Sequence, residues 1–345
     1  MSRATLWQSK GSKGLKGSRI MVQGSRFKGI GGYVFAALAA ASYGTNPVFA
    51  KPLYADGMNP DSVLLFRYAF GIALLGLLMI WNGWRRHNLS TAFRVNRHSL
   101  PQLVILGILM ALSSLTLFLS YNYMPVGIAS TLLFTYPILV AVIMTLIYHE
   151  RMSWLVVVCL LLACTGIGLL CEETPPSLLS RGETPSGTAE VLPLSRGNEG
   201  VSPFMIGALL VFLSSLSYAI YLVGLNKTRV RTIASMPATF YVLCFGLLLF
   251  VWRVGVSSPF TLPEHGLMWL NLIALGLLPT VVSLIFTAMA IQRIGSTQTA
   301  LFGALEPVTA VVLGIIFLGE SLNLRELVGM ALIFISVTLV VNRRK

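Results

Sequence analysis

Apolar runs of about 20 residues follow one another from residue 31 almost to the C-terminus, separated by short stretches where charge, proline and glycine collect. At 1.5 Å of rise per residue, such a run spans roughly 30 Å, the thickness of a bilayer's hydrocarbon core. The runs predict ten helices, at about 32–54, 61–81, 101–123, 128–148 and 153–171, then 204–225, 234–254, 268–291, 296–318 and 325–342. The expected fold is all-α and integral to the membrane.

Two segments break the pattern. Residues 1–30 hold seven Lys or Arg, no acid and many Gly and Ser, and contain no apolar stretch of a signal peptide. They read as a disordered basic cytoplasmic tail, in which Met21 offers a second start. Residues 172–203 are rich in Pro, Ser, Gly and Glu, with Ser180-Arg181-Gly182 echoed as Ser195-Arg196-Gly197, and read as a flexible extracytoplasmic linker.

Composition supports the bilayer as solvent. Of 345 residues 55% are hydrophobic and only 11% charged, and the mean hydropathy is +0.79. The net charge of +13 would suggest nucleic acid in a soluble protein, but its placement argues for membrane orientation instead. With both termini cytoplasmic, inner segments hold 19 Lys or Arg and outer segments five: Lys51, Arg181, Arg196, Arg253 and Arg325. That asymmetry predicts a multi-pass protein of the cell (inner) membrane.

Short landmarks recur in the same order in both halves. Ser42-Tyr43 and Phe70-Gly71 return as Ser217-Tyr218 and Phe245-Gly246. Leu106-Gly107 returns as Leu275-Gly276, and Pro137 and Glu150 return as Pro307 and Glu320. An odd five spans per half forces the second half to enter the membrane from the opposite side. The expected architecture is therefore two inverted repeats, 32–171 and 204–342, around a central cavity where substrate would bind.

The run Leu305-Glu306-Pro307-Val308, followed by Gly314-Ile315-Ile316-Phe317-Leu318-Gly319-Glu320-Ser321-Leu322, resembles the EamA-type branch of the drug/metabolite transporter superfamily. Ser42-Tyr43-Gly44-Thr45-Asn46-Pro47-Val48-Phe49 and Leu65-Phe66-Arg67-Tyr68 agree. The resemblance covers 32–342 and implies a ten-helix carrier that exports or exchanges small metabolites by alternating access, amino acids and related compounds favoured. One departure stands out: Tyr136, not a carboxylate, precedes Pro137 where Glu306 precedes Pro307.

Ionisable residues inside spans are costly and so come first as site candidates. Glu306 lies about ten residues into its helix, roughly 15 Å deep, beyond reach of water. It would bind a substrate amine or take up a proton; the bland alternative is that it accepts hydrogen bonds from backbone groups freed by Pro307. Arg67, roughly 9 Å deep, could serve Glu306 as counter-charge, anchor a carboxylate, or extend to the interface. Pro47, Pro137, Pro279 and Pro307 are expected to kink or open their helices. Tyr43, Asn46, Tyr121, Tyr136, Tyr218, Tyr221, Thr280 and Ser283 near them are the candidate cavity lining. Lys51 is expected to snorkel, and Glu150 and Glu320 to interact with helix ends.

Other chemistries find less support. Four cysteines sit inside apolar runs, forming no CxxC pair, and His87, His98, His149 and His265 lie in loops without ligand spacing. No phosphate-binding loop is present, so no cofactor or nucleotide is expected and gradients, protons among them, would drive transport. A membrane-embedded enzyme would need paired acids or a His-Asp pair near the interface. A channel would need a repeated filter motif, and neither pattern is seen.

Overall fold

The computed structural model describes residues 30–85, 93–124, 129, 132–150, 153–170, 203–256, 260–318 and 324–342. The basic tail, the linker, Glu320 and Cys171 lie outside the described residues. Among those described there is no strand. Helices follow in the order α1 (30–44), α2 (Asn46–Ala55), α3 (Pro60–Arg85), α4 (Leu100–Ser120), α5 (Tyr136–Leu146) and α6 (Trp154–Leu170). The second half continues with α7 (Pro203–Lys227), α8 (Ser235–Val256), α9 (Gly266–Gly276), a π-helical turn (Leu277–Val282), α10 (Ser283–Ile294), α11 (Ser296–Phe302), α12 (Leu305–Leu318) and α13 (Leu324–Asn342). These make up the ten spans of an all-α membrane protein. Five are long, apolar and continuous enough to cross a bilayer as single helices: Pro60–Arg85, Arg97–Ser120, Pro203–Lys227, Ser235–Val256 and Gly266–Ile294.

Several spans are divided or, in the eighth, locally rewound, and proline explains where. A proline lacks the N–H that would bond the carbonyl four residues back and is tolerated in the first turn of a helix, so a helix restarts around it. The first span breaks at Thr45, whose hydroxyl donates to Ser42 O at 2.7 Å, before Asn46-Pro47. The fourth breaks before Tyr136-Pro137 and the ninth at Gly303–Ala304, before Glu306-Pro307. In the eighth, Pro279 falls within the π-helical turn. The sixth span, equivalent to the first, carries Ala219-Ile220-Tyr221-Leu222 where the first has Gly44-Thr45-Asn46-Pro47, and runs unbroken.

The repeated dipeptides mark where the halves cross. A Cβ on Gly276 would lie 2.8 Å from Phe70 Cβ, and 3.2 Å from both Arg67 O and Gly71 N. A Cβ on Gly107 would lie 2.8 Å from Phe245 Cβ and Val242 O, and 3.2 Å from Gly246 N. Val242 stands to Phe245 as Arg67 stands to Phe70, so the same atoms meet twice. The Phe-Gly of each half thus packs into the Leu-Gly notch of the other, joining α3 to α9 and α8 to α4. Spans five and ten pair separately, with Ser336 Oγ donating to Cys159 O at 2.7 Å.

Each end of the bundle has one ion pair among the described residues. At one end the Arg253 guanidinium grips Asp61 with both prongs, at 3.1 and 3.0 Å, beside a bond from Thr261 N to Ser62 Oγ at 3.0 Å. At the other, Lys227 Nζ donates to Glu150 at 2.6 Å and lies 4.9 Å from the Tyr148 ring centre. Glu150 therefore meets a cation from α7, a partner its place in a helix-to-helix turn did not suggest.

Candidate functional site

Three broken spans converge on Glu306. A Cβ on Gly44 would approach Glu306 O to 2.5 Å and Thr309 Cβ to 2.7 Å, so only glycine lets the first span's break sit directly on the ninth's. From the fourth span, the Tyr136 hydroxyl lies over Gly303 and donates to Glu306 Oε1 at 3.5 Å. Tyr136 meets Tyr218 edge-on at 4.9 Å between ring centres, and Tyr218 stacks on Tyr221 at 5.9 Å. The Glu306 carboxylate thus bonds a side chain of the other repeat, whereas the backbone freed by Pro307 was the alternative read from sequence.

A small cavity opens beside it, lined by Glu306, Tyr136, Tyr218, Thr287, Thr299 and the alanines of α1. Its volume of about 10 Å³ suits one water molecule. That volume is too small for any metabolite, so admitting one requires the spans to part.

Arg67 corrects one expectation. Its side chain does not extend to the interface; the residue is 1% exposed. Nε donates to Thr280 Oγ1 at 2.6 Å and Nη2 to Pro279 O at 3.3 Å, while Thr280 Oγ1 donates to Leu275 O at 2.9 Å. The π-helical turn displaces backbone carbonyls from their usual partners, and Arg67 answers one of them. Nor is Arg67 the counter-charge of Glu306: among the described residues no ion pair joins them. Tyr43 stands between the two, its ring centre 5.8 Å from the guanidinium carbon, while its neighbour Gly44 touches the Glu306 backbone. Phe118 flanks the guanidinium at a further 5.8 Å.

Among the buried polar atoms with no hydrogen-bond partner are Arg67 Nη1, a donor, Asn46 Oδ1, an acceptor, and the hydroxyls of Tyr54 and Thr135. Buried polar groups are nearly always satisfied, and each orphan costs about 1–3 kcal/mol, so an open valence in this region is informative.

Of the ten residues read from sequence, Tyr136, Tyr218 and Glu306 line the cavity, Tyr221 backs Tyr218, Tyr43, Arg67 and Thr280 form a polar cluster, and Asn46 is buried at the start of α2. Tyr121, at the end of α4, packs at 5.5 Å on Phe118, the ring that flanks Arg67. Ser283 is buried just past the π-helical turn, outside the cavity lining. Gly303, Thr287, Thr299 and the alanines Ala36, Ala39 and Ala40 are additions. Their small size is the only signal they carried. Among the described residues no three His, Cys, Asp or Glu gather as a metal site would need.

Comparison with known proteins follows the same division of the chain. The model of the EamA-like transporter family matches residues 30–171 and again 205–342. The chain is 27% identical over 286 residues to the uncharacterized transporter sll1319 of Synechocystis, covering 80% of this chain and 78% of that one. It is 24% identical to the uncharacterized transporter YcbK of Bacillus subtilis, covering 89% and 91%. A solved structure described as "Crystal structure of protein" shares the fold, with a TM-score of 0.68 over 91% of this chain and 99% of that one, at 16% identity.

Proposed function

The chain belongs to the EamA-like transporter family, and from that premise we propose that it is a secondary carrier exporting or exchanging small zwitterionic metabolites of the amino-acid type by alternating access. The observation carrying this reading is a pair of opposite, incompletely satisfied groups near the first span's break: Arg67, whose Nη1 has no hydrogen-bond partner among the described residues, and Glu306, whose carboxylate takes one long bond from Tyr136. A substrate carboxylate would complete the guanidinium fork, and its amine would reach Glu306. Arg67 is buried from bulk water and Glu306 faces only a one-water cavity, so an answering charge from substrate or ion would stabilise each.

The same need supplies a coupling scheme. Glu306 faces a substrate amine on the loaded stroke and takes up a proton on the empty return, so export would consume a proton gradient. The inverted repeats give two arrangements of similar energy, open to opposite sides. Orientation follows from loop charge: both termini cytoplasmic, the acidic linker outside, and the protein in the inner membrane.

Proteoliposomes loaded with labelled amino acids test this. Wild-type protein should show efflux stimulated by an opposing proton gradient, and Glu306→Gln should lose that stimulation. Flux by Glu306→Gln matching wild type at every pH would end the proton-carrier scheme. Absence of flux for all amino acids, with flux of another solute class, would move the substrate assignment while leaving a carrier.

A further inference from the structure

The basic end of the bundle holds a second cavity, remote from Glu306 in its lining. It has a volume of about 360 Å³ and lies between the connection of spans two and three and that of spans six and seven. Arg94, Asn96 and Ser99 form one wall; Arg229, Thr232 and Ile233 form the other. No acid lines it. Arg94 and Arg229 are exposed, and among the described residues neither has an ion-pair partner.

The walls are fixed in place. Asn96 Oδ1 accepts from His98 N at 3.2 Å, ordering the turn Arg97–Ser99, and Thr228 Oγ1 accepts from Val230 N at 3.3 Å, ordering Arg229–Thr232. Tyr241 donates to Phe93 O at 3.0 Å beside Arg94, and Gln292 Nε2 donates to Ile233 O at 2.8 Å. These bonds pin both connections to the bundle. They hold one arginine from each repeat on a shared, pre-formed cleft, which charge asymmetry between membrane faces does not require. Arg97 and Arg231 sit on the same two turns yet do not line it.

We propose that this cleft is a binding site for a phosphate-bearing anion, clasped between the Arg94 and Arg229 guanidiniums. Arginine's planar fork matches phosphate oxygens bidentately, and two forks from opposite walls suit a tetrahedral anion better than a carboxylate. The volume falls within the range of small-molecule sites and leaves room for a substituent on the phosphate. Both a phospholipid headgroup and a soluble phosphate fit that chemistry. Trp81 and Trp84, exposed near the end of α3 that leads into this connection, mark the level where headgroups lie. Because the walls belong to different repeats, an occupied cleft ties the repeats together at this end.

Thermal unfolding of the purified full chain in neutral detergent tests the site, with inorganic phosphate in one arm and phosphatidylglycerol in another, against phosphatidylcholine and sulfate-free buffer. Wild type should be stabilised by inorganic phosphate or the anionic phosphatidylglycerol and not by phosphatidylcholine, whose choline cation offsets its phosphate; which arm responds identifies the source. Arg94→Ala/Arg229→Ala should weaken binding at least tenfold, whereas Arg97→Ala/Arg231→Ala, removing equal charge from the same turns, should change it less than threefold. If the alanine pair does not fold, Arg94→Lys/Arg229→Lys is read instead and should weaken binding at least threefold through loss of the fork. Equal losses for the lining pair and its neighbours, or no response to either phosphate source, would overturn the proposal. A flux defect in Glu306→Gln leaves it untouched.

Discussion

Gly303→Ala adds a single methyl where Tyr136 is held most closely. The new Cβ would fall on the Tyr136 hydroxyl and lie 2.8 Å from Cζ, with Ala300 O at 3.0 Å. The ring has little room to retreat, because Tyr218 and Phe134 lie edge-on at 4.9 and 5.7 Å between centres. Overpacking of this kind costs about 1–3 kcal/mol. Displacing the hydroxyl also forfeits its bond to Glu306, which at 3.5 Å is near the limit of hydrogen bonding and contributes about 1 kcal/mol. The closed bundle should therefore lose about 2–4 kcal/mol, the sum of those two ranges. Since the hydroxyl is the first atom struck, Tyr136→Phe should partly rescue Gly303→Ala, with a coupling of about 1–2 kcal/mol in a double-mutant cycle. Reversible unfolding from mild detergent into SDS, for wild type, both single variants and the double, measures all four corners. A cost for Gly303→Ala below about 0.5 kcal/mol, or strict additivity, would refute the seating of Tyr136 over Gly303.

Three further outcomes are open to the same unfolding measurement. Asp61→Asn should destabilise by about 1–3 kcal/mol, because it leaves Arg253 facing a 4% exposed position without its carboxylate; the swap Asp61→Arg/Arg253→Asp should recover part of the loss. Lys227→Ala should cost no more than about 1 kcal/mol, since its partner Glu150 is half exposed. Arg67→Lys should cost about 1–3 kcal/mol, because an ammonium lacks the fork that serves Thr280 and the Pro279 carbonyl together; an unchanged midpoint would count against the brace.

The ten spans were legible because a bilayer demands long apolar runs and permits little else. Helix starts observed at Pro60 and Ser235 lie within a residue of those read from run length. The breaks were legible too, since proline acts on its own helix. What escaped were partnerships across great sequence distance. Depth alone left Arg67 free to extend to the interface, and the carbonyl that retains it lies 212 residues away in a π-helical turn. Asp61 and Arg253, 192 residues apart, each resemble an ordinary charge at a helix end. Gly303 matters through Tyr136, and nothing in a glycine names the side chain above it. Glu306 was found from its own rarity in a span, and Tyr136 as cavity lining beside Pro137, but nothing in the sequence joined the two.

The crossed Phe-Gly and Leu-Gly contacts carry a consequence for ancestry and assembly. A chain of five spans bearing both motifs already displays a knob and a socket that fit an upside-down copy of itself, so a single gene inserted in both directions could have formed this seam before fusion. Once joined, the two copies could diverge at Tyr136 and Glu306 while the knobs and sockets stayed under common constraint. During synthesis the Phe70 knob must wait for Gly276 to emerge, some 200 residues later. The first half is therefore an unfinished surface until the second arrives, and co-expressed halves should find each other without the linker.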